Sequence, residues 1–95
     1  MGAAEILQFL RDNKSMFQQS IGVEGIGLFG SHAKGVARFD SDIDIFVEMP
    51  QDFSNLMRLQ QYLETHLGRP VDILRNGPHL RADFLKSITS DLIYT

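Results

Sequence analysis

Two aspartates, Asp42 and Asp44, stand two positions apart in a run that alternates polar and apolar residues. Residues at this spacing on a β-strand project from one face with Cα atoms about 7 Å apart, so both carboxylates can reach one ion. Two carboxylates about 4 Å apart repel by roughly 4 kcal/mol at an effective dielectric of 20, and a bound cation removes that repulsion. Oxygen-only ligands suit Mg²⁺, which adds water and phosphate oxygens to one or two carboxylates. The alternative is a strand that simply displays a polar face to water.

A glycine-serine pair, Gly30 and Ser31, ends an apolar run upstream of the aspartates. Gly30 lets the backbone approach a phosphate without a Cβ in the way, and Ser31 can donate from its amide and its hydroxyl at the start of a helical turn. Such a pair is by itself an ordinary turn. Because Asp42 begins its strand beside the loop that leaves Ser31, the combination predicts a site for a nucleoside triphosphate and its metal.

Hydrophobic periodicity predicts the elements that position these residues. In the first half we expect a helix over 3–19 with an interruption near Asn13, a strand over 25–29, a helical turn and loop over 32–41, and a strand over 42–48. In the second half we expect a helix from Asp52 or Ser54 to Leu67, a strand over 71–74, a turn over 76–78, a helix over 80–90 and an edge strand over 92–94. In the strand over 42–48, Ile43, Ile45 and Val47 share one face and the aspartates share the other.

Composition narrows the class of protein. The 95 residues correspond to one small domain over residues 1–95, with 43% hydrophobic and 22% charged residues. A net charge of −3 and a pI near 5.4 disfavour a direct nucleic-acid ligand, which calls for clustered Lys and Arg.

Cysteine is absent, which excludes disulfides and thiolate metal sites and favours a reducing cytoplasm. No apolar run approaches the roughly 20 residues of a membrane span, so we expect a cytoplasmic protein without a membrane partner.

A second glycine pattern points to a different cofactor. Residues Gly25 to Gly30 have the Gly-x-Gly-x-x-Gly spacing of dinucleotide sites. That fingerprint follows a strand, whereas here the apolar strand residues lie among the glycines themselves. We therefore reject a dinucleotide site, and no Gly-Lys-Ser/Thr occurs to support a Walker-type phosphate loop.

Two segments, Leu-Phe-Gly-Ser-His-Ala-Lys-Gly over 28–35 and Ser-Asp-Ile-Asp-Ile-Phe-Val over 41–47, resemble the signature of minimal nucleotidyltransferases in the DNA polymerase β superfamily. Ten residues separate Ser31 from Asp42, and the similarity extends through Gly-Arg-Pro-Val-Asp-Ile-Leu over 68–74 to the last helix. The resemblance implies an α+β fold with a small mixed sheet and helices packed on one side. It also implies two Mg²⁺ ions and transfer of a nucleoside monophosphate to a hydroxyl, with release of pyrophosphate.

The resemblance also implies roles for individual residues. Asp42, Asp44 and Asp72 correspond to the metal-binding and catalytic carboxylates, and strand parity places Asp72 on the carboxylate side if Val71 and Ile73 face the core. Gly30, Ser31 and Lys34 correspond to the nucleotide-binding residues, with Lys34 at a position where relatives usually carry Arg. His32 and Val36 also depart from the family pattern, which leaves the nucleotide preference open.

Small members of this family resemble the antitoxin of HEPN/MNT toxin-antitoxin pairs. This resemblance implies transfer of AMP from ATP to a tyrosine of a HEPN-domain toxin. One alternative is a non-catalytic module that neutralises its partner by masking it, which the presence of all three aspartates disfavours. The other is a transferase acting on a small-molecule hydroxyl, whose relatives carry an added helical domain that this sequence lacks.

Overall fold

A four-stranded mixed sheet forms the centre of the fold in the computed structural model, which describes residues 1–95. The strands are β1 (Gly25–Phe29), β2 (Ile43–Glu48), β3 (Val71–Arg75) and β4 (Ile93–Tyr94). Their order in the sheet is β3-β2-β1-β4. Strand β1 is antiparallel to both β2 and β4, whereas β2 and β3 are parallel. The mixed sheet implied by the family resemblance is therefore confirmed.

Five helices connect the strands. They are α1 (Ala3–Asp12), α2 (Lys14–Ile21), α3 (Gly30–Lys34), α4 (Phe53–Leu67) and α5 (Ala82–Thr89). The expected interruption of the first helix is confirmed at Asn13, whose side chain donates to the carbonyl of Phe9 at 2.9 Å. Asp52 caps α4 by accepting from the amide of Asn55 at 3.0 Å, and α4 ends at Gly68 with φ +68°. No helix of the protein has the length and apolar character that crossing a membrane requires.

The main core lies between one face of the sheet and helices α1, α2 and α4. The alternation in β2 sends its isoleucines and Val47 into this core, where they are fully buried. From α4, the stripe of Leu59, Leu63 and Leu67 packs onto the same face, and each such side chain contributes about 1.5–3 kcal/mol when fully buried. The expectation of helices packed on one side of the sheet is thus confirmed.

The second face of the sheet is only partly covered. Phe46 on this face is 1% exposed and lies outside the main core cluster. Its ring meets that of Tyr94 edge to face, with centroids 6.4 Å apart. Helix α5 has no buried residue. The polar alternation in β2 therefore belongs to a face that buries one aromatic ring and leaves the carboxylate end open.

Candidate active site

Strand register places two of the three aspartates opposite each other. In the parallel pairing of β2 with β3, Asp44 is the partner of Asp72, and neighbouring strands lie about 4.8 Å apart. Both side chains leave the second face, because the flanking Ile43 and Val71 are buried in the main core. Asp42 lies one residue before β2 and is exposed. The fold brings the three carboxylates to one end of the sheet.

Gly30 lies against Asp44. In the β1–β2 pairing Phe29 is the partner of Asp44, and Gly30 follows with φ +76°. A Cβ on residue 30 would overlap the Oδ2 atom of Asp44. Only glycine allows both this backbone conformation and this close approach.

The surroundings of Asp44 disfavour the ionised form of its carboxyl group. Burial, followed by the negative charges of Asp72 and Asp42, raises the pKa of Asp44 above its usual value of 3.8, and His32 acts in the opposite direction. Like charges and desolvation both disfavour the ionised carboxylate. A divalent cation beside Asp44 would relieve this excess of negative charge.

The donor set at this end of the sheet fits Mg²⁺. The side chains of His, Asp and Glu do not form a ready-made group of three metal ligands anywhere in the protein. Mg²⁺ does not require one, because it commonly takes one or two carboxylates and fills its shell with water and phosphate oxygens. Asp44, whose ionisation is opposed by Asp72 and Asp42, would be the central ligand of such an incomplete shell.

Helix α3 begins at the candidate phosphate-binding turn. No side chain caps its N-terminal end, where Phe29 occupies the capping position, so its first amides have no side-chain acceptor. Ser31 is partly exposed in this first turn. Lys34 ends α3, and its Nζ lies 3.4 Å from Oδ2 of Asp91. The structure thus places Gly30 and Ser31 beside the aspartates, and directs Lys34 towards the C-terminal segment.

Two features near the site are not predicted from the sequence, namely the burial of His32 and a hydrogen bond of Arg69. His32 is 3% exposed and its Nδ1 has no hydrogen-bond partner. Arg69 donates to the carbonyl of Ser41 at 2.6 Å, which ties the segment after α4 to the residue before Asp42. Neither the burial of His32 nor the hydrogen bond of Arg69 has a local sequence signal, because both depend on contacts that form only when distant segments pack.

The two concavities of the protein lie away from the aspartates. The larger, of about 450 Å³, runs between the end of β3 and the start of α4. The smaller, of about 380 Å³, lies at the start of α5. Neither contains Asp42, Asp44 or Asp72. The carboxylate end is therefore an open surface rather than part of either concavity.

Comparison with known sequences agrees with this geometry. Residues 5–95 match the family described as nucleotidyltransferase domain. The protein MJ1379 of Methanocaldococcus jannaschii, classed as a protein adenylyltransferase, is 39% identical over 95 residues, covering 96% of this chain and 95% of its own. The protein adenylyltransferase MntA of Thermococcus cleftensis is 35% identical, covering 95% of this chain and 92% of its own.

Solved structures agree as well. A structure described as a minimal nucleotidyltransferase has a TM-score of 0.79 and 29% identity, covering 98% of this chain and 95% of its own. A toxin-antitoxin structure with AMP-PNP has a TM-score of 0.55 and 31% identity, covering 79% of this chain and 57% of its own. The fold also matches a complex of tri-AMPylated Shewanella oneidensis HEPN toxin with MNT antitoxin, with a TM-score of 0.62 and 20% identity over 93% of this chain and 70% of that one. The chain belongs to the nucleotidyltransferase domain family.

Proposed function

We propose that this protein is a Mg²⁺-dependent adenylyltransferase that moves AMP from ATP to a hydroxyl of a partner protein. The observation that carries the proposal is the meeting of Asp44, Asp72 and Gly30 at one end of the sheet. Relatives named protein adenylyltransferase span nearly the whole chain. The toxin-antitoxin structure with AMP-PNP supports an adenine nucleotide as substrate.

The partner we propose is a HEPN-domain toxin, with a tyrosine of that toxin as acceptor and this protein as the antitoxin. A chain from the complex of tri-AMPylated HEPN toxin with MNT antitoxin has the same fold as this protein. The open carboxylate end also supports a protein acceptor, because neither concavity of the protein encloses the three aspartates. A partner surface can supply the missing walls of the cleft.

Residues of this chain first bind and orient the triphosphate. We assign the backbone at Gly30 and the amide and hydroxyl of Ser31 to the phosphates, since uncapped amides at a helix start attract anions. Lys34, once released from Asp91, adds a point charge near the phosphates. Two Mg²⁺ ions held by Asp42, Asp44 and Asp72 would supply charge neutralisation and a clamp on the attacking and leaving oxygens.

In the transfer, the acceptor oxygen forms a bond to the α-phosphorus of ATP while the bond from that phosphorus to the bridging oxygen breaks. Pyrophosphate leaves with the electron pair of the broken bond. The proton of the hydroxyl passes to a carboxylate, and we assign this role to Asp72. Phosphoryl transfer depends mainly on alignment and electrostatic stabilisation, so these residues leave little covalent work for the protein.

The experiment is transfer of label from α-labelled ATP to a co-expressed HEPN partner in the presence of Mg²⁺. We expect label on the partner, and a loss on the order of a thousandfold when Asp42→Asn is combined with Asp44→Asn, since losing metal ligands removes several kcal/mol of charge stabilisation. Asp40→Asn is the matched control, because Asp40 is an exposed carboxylate of the same loop. Toxin inhibition that survives the double substitution would identify a masking module instead. ATP consumption with no labelled partner would point to a small-molecule acceptor.

A further inference from the structure

Strand β3 forms an edge of the sheet, so one side of its backbone has no strand beside it. On its paired side, the amide of Ile43 donates to the carbonyl of Pro70 at 3.0 Å, and that of Asn76 donates to the carbonyl of Val47 at 2.8 Å. Because backbone hydrogen bonding alternates along a strand, positions 70, 72, 74 and 76 face β2. The backbone groups of positions 71, 73 and 75 therefore point out of the sheet.

Helix α4 covers the first of these outward positions and leaves the other two free. The amide of Val71 donates to Glu64 at 3.0 Å, and the carbonyl of Val71 accepts from Gln60 at 3.1 Å. No side chain or loop forms a hydrogen bond to the backbone of Ile73 or of Arg75. Unpaired backbone N–H and C=O groups at the edge of a sheet can form hydrogen bonds with another extended chain.

The larger concavity of the protein lies along the free part of this edge. Its lining includes Ile73 and Arg75 of β3, Phe53 and Leu56 of α4, and the following turn at Pro78 and His79. The side chain of Phe53 is 74% exposed, so an apolar ring borders the groove without a partner in the chain. An extended segment in this groove would combine backbone pairing with apolar contact.

The charge of Arg75 indicates the chemistry of the segment. Its guanidinium donates to the carbonyls of Met49 and Asn76 at 3.2 and 3.0 Å, and it belongs to neither ion pair of the protein. The only carboxylate of the groove, Asp52, accepts hydrogen bonds from the backbone and side chain of Asn55. An acidic group on the bound segment is the complement of this positive charge.

We propose that the acceptor polypeptide binds the open edge of β3 as an added strand, an inference that rests on the proposed function. Pairing centred on Ile73 sets one acceptor residue opposite Asp72, and cross-strand neighbours on one face lie about 5 Å apart. A hydroxyl-bearing side chain at this place meets the carboxylate that takes its proton. The residue opposite Arg75, three positions further along, carries the acidic group.

Amide hydrogen exchange, followed for each residue by NMR, tests this edge directly. In the protein alone, the amides of Ile73 and Arg75 exchange faster than those of Asp72 and Leu74, which face β2. Binding of the HEPN partner slows exchange at Ile73 and Arg75 by roughly tenfold or more, because both amides then donate to the added strand. Unchanged exchange at both positions in the complex overturns the proposal.

Substitution of Ile73 gives a second test. Proline removes the outward amide and blocks the added strand while leaving the bonds to β2 intact, because proline is tolerated at the free side of an edge strand. Ile73→Pro should lower kcat/KM for the HEPN acceptor by about tenfold or more through a raised acceptor KM, with the Kd for ATP unchanged. Ile73→Val, which keeps the amide, is the matched comparison, and its loss of transfer should be much smaller than that of Ile73→Pro.

The outcomes separate this inference from the proposed function. Absence of label on the partner with the wild-type protein means that the proposed function is wrong, and the acceptor edge is wrong with it. Wild-type transfer that persists at an equal rate in folded Ile73→Pro means that only the edge proposal is wrong. If Ile73→Pro does not fold, the amide exchange of the wild-type complex decides.

Discussion

The backbone of Gly30 lies directly against the carboxylate of Asp44, in space that a Cβ on residue 30 would fill. Gly30 also has φ +76°, a conformation that residues with side chains rarely adopt. Both constraints fall on the residue that begins α3 and its uncapped amides. Position 30 therefore couples the backbone of the proposed phosphate-binding turn to the orientation of a proposed metal ligand.

Gly30→Ala should impair transfer more than it impairs folding. The positive φ costs about 1 kcal/mol for an alanine, and the new methyl group forces the Asp44 carboxylate to rotate away. We expect the free energy of unfolding to fall by about 1–2 kcal/mol, and AMP transfer to fall on the order of a hundredfold, as expected when a positioned catalytic group is misplaced. Urea denaturation and initial transfer rates measure the two effects.

The variant Gly35→Ala introduces backbone strain without displacing Asp44, so it separates the effects of these two changes on transfer. Gly35 has the same φ of +76°, but a Cβ at this position would meet nothing within 4 Å. Its substitution should cost about 1 kcal/mol of stability and leave transfer close to wild type. Equal losses of transfer in the two variants would show that strain in α3, rather than the position of Asp44, controls the reaction.

The raised pKa of Asp44 makes stability depend on pH. Because the pKa of Asp44 is raised above 3.8, the folded chain holds this proton more tightly than the unfolded chain does. The resulting stabilisation is complete below pH 3.8 and is lost as pH rises through the raised pKa. In the absence of divalent cations, Asp44→Asn should therefore raise Tm at neutral pH.

The difference in Tm between Asp44→Asn and the wild type should shrink as the pH falls and should be smallest below pH 3.8, where the wild-type carboxyl is mostly protonated in both states. Asp40→Asn, at an exposed position, is the comparison for a carboxylate outside the cluster. Scanning calorimetry over a series of pH values gives the curves. A lower Tm for Asp44→Asn at neutral pH would contradict the expected repulsion.

Local patterns in the sequence were sufficient for most of the fold. The alternation of Ile43, Asp44 and Ile45 identified both faces of β2, since a period of two separates buried from polar positions. The leucine stripe of α4 and its cap at Asp52 were equally local signals. The Gly30-Ser31 turn and the aspartate pair could be assigned to one site because their spacing resembles that of a known family. Local physical patterns alone would not place them in the same site.

The remaining features depend on contacts between distant segments. Strand packing sets the register that pairs Asp44 with Asp72. The alternation in the sequence predicts which face of the sheet each residue occupies, but not which strand lies beside it. The burial of His32 and of Phe46 arises only once α3 and the sheet have assembled. The free edge at Ile73 depends on α4 reaching Val71 and no further. None of these positions has a periodicity of its own.

The ion pair between Lys34 and Asp91 should compete with ATP for the lysine. With Nζ and Oδ2 3.4 Å apart and the Lys34 side chain 53% exposed, the pair is worth at most about 1 kcal/mol. Asp91→Asn should therefore tighten ATP binding by up to about fivefold, whereas Lys34→Met should weaken it. Isothermal titration with a non-hydrolysable ATP analogue measures both. An unchanged Kd in Lys34→Met would remove Lys34 from the nucleotide site.

The hydrogen bond between Tyr94 and Glu48 should stabilise the protein until the pH becomes strongly alkaline and the phenol of Tyr94 ionises. The Tyr94 hydroxyl donates to Oε1 of Glu48 at 2.5 Å, and it joins β4 to β2 across the face that contains Phe46. Burial, followed by the hydrogen bond and charge of Glu48, raises the pKa of Tyr94 from 10.0 to about 12. The folded state therefore holds the phenolic proton more tightly than the unfolded state does.

Stabilisation by this contact is complete below pH 10.0 and is lost as the pH rises towards 12. The difference in unfolding free energy between the wild type and Tyr94→Phe should accordingly be constant below pH 10.0 and should disappear near pH 12. Glu48→Gln keeps an acceptor but removes the charge, so phenolate formation, followed by ultraviolet absorbance, should begin at lower pH in that variant. A difference between wild type and Tyr94→Phe that stays constant through pH 12 would mean that the hydroxyl makes no such contact in solution, and that packing of the ring on Phe46 alone holds β4 in place.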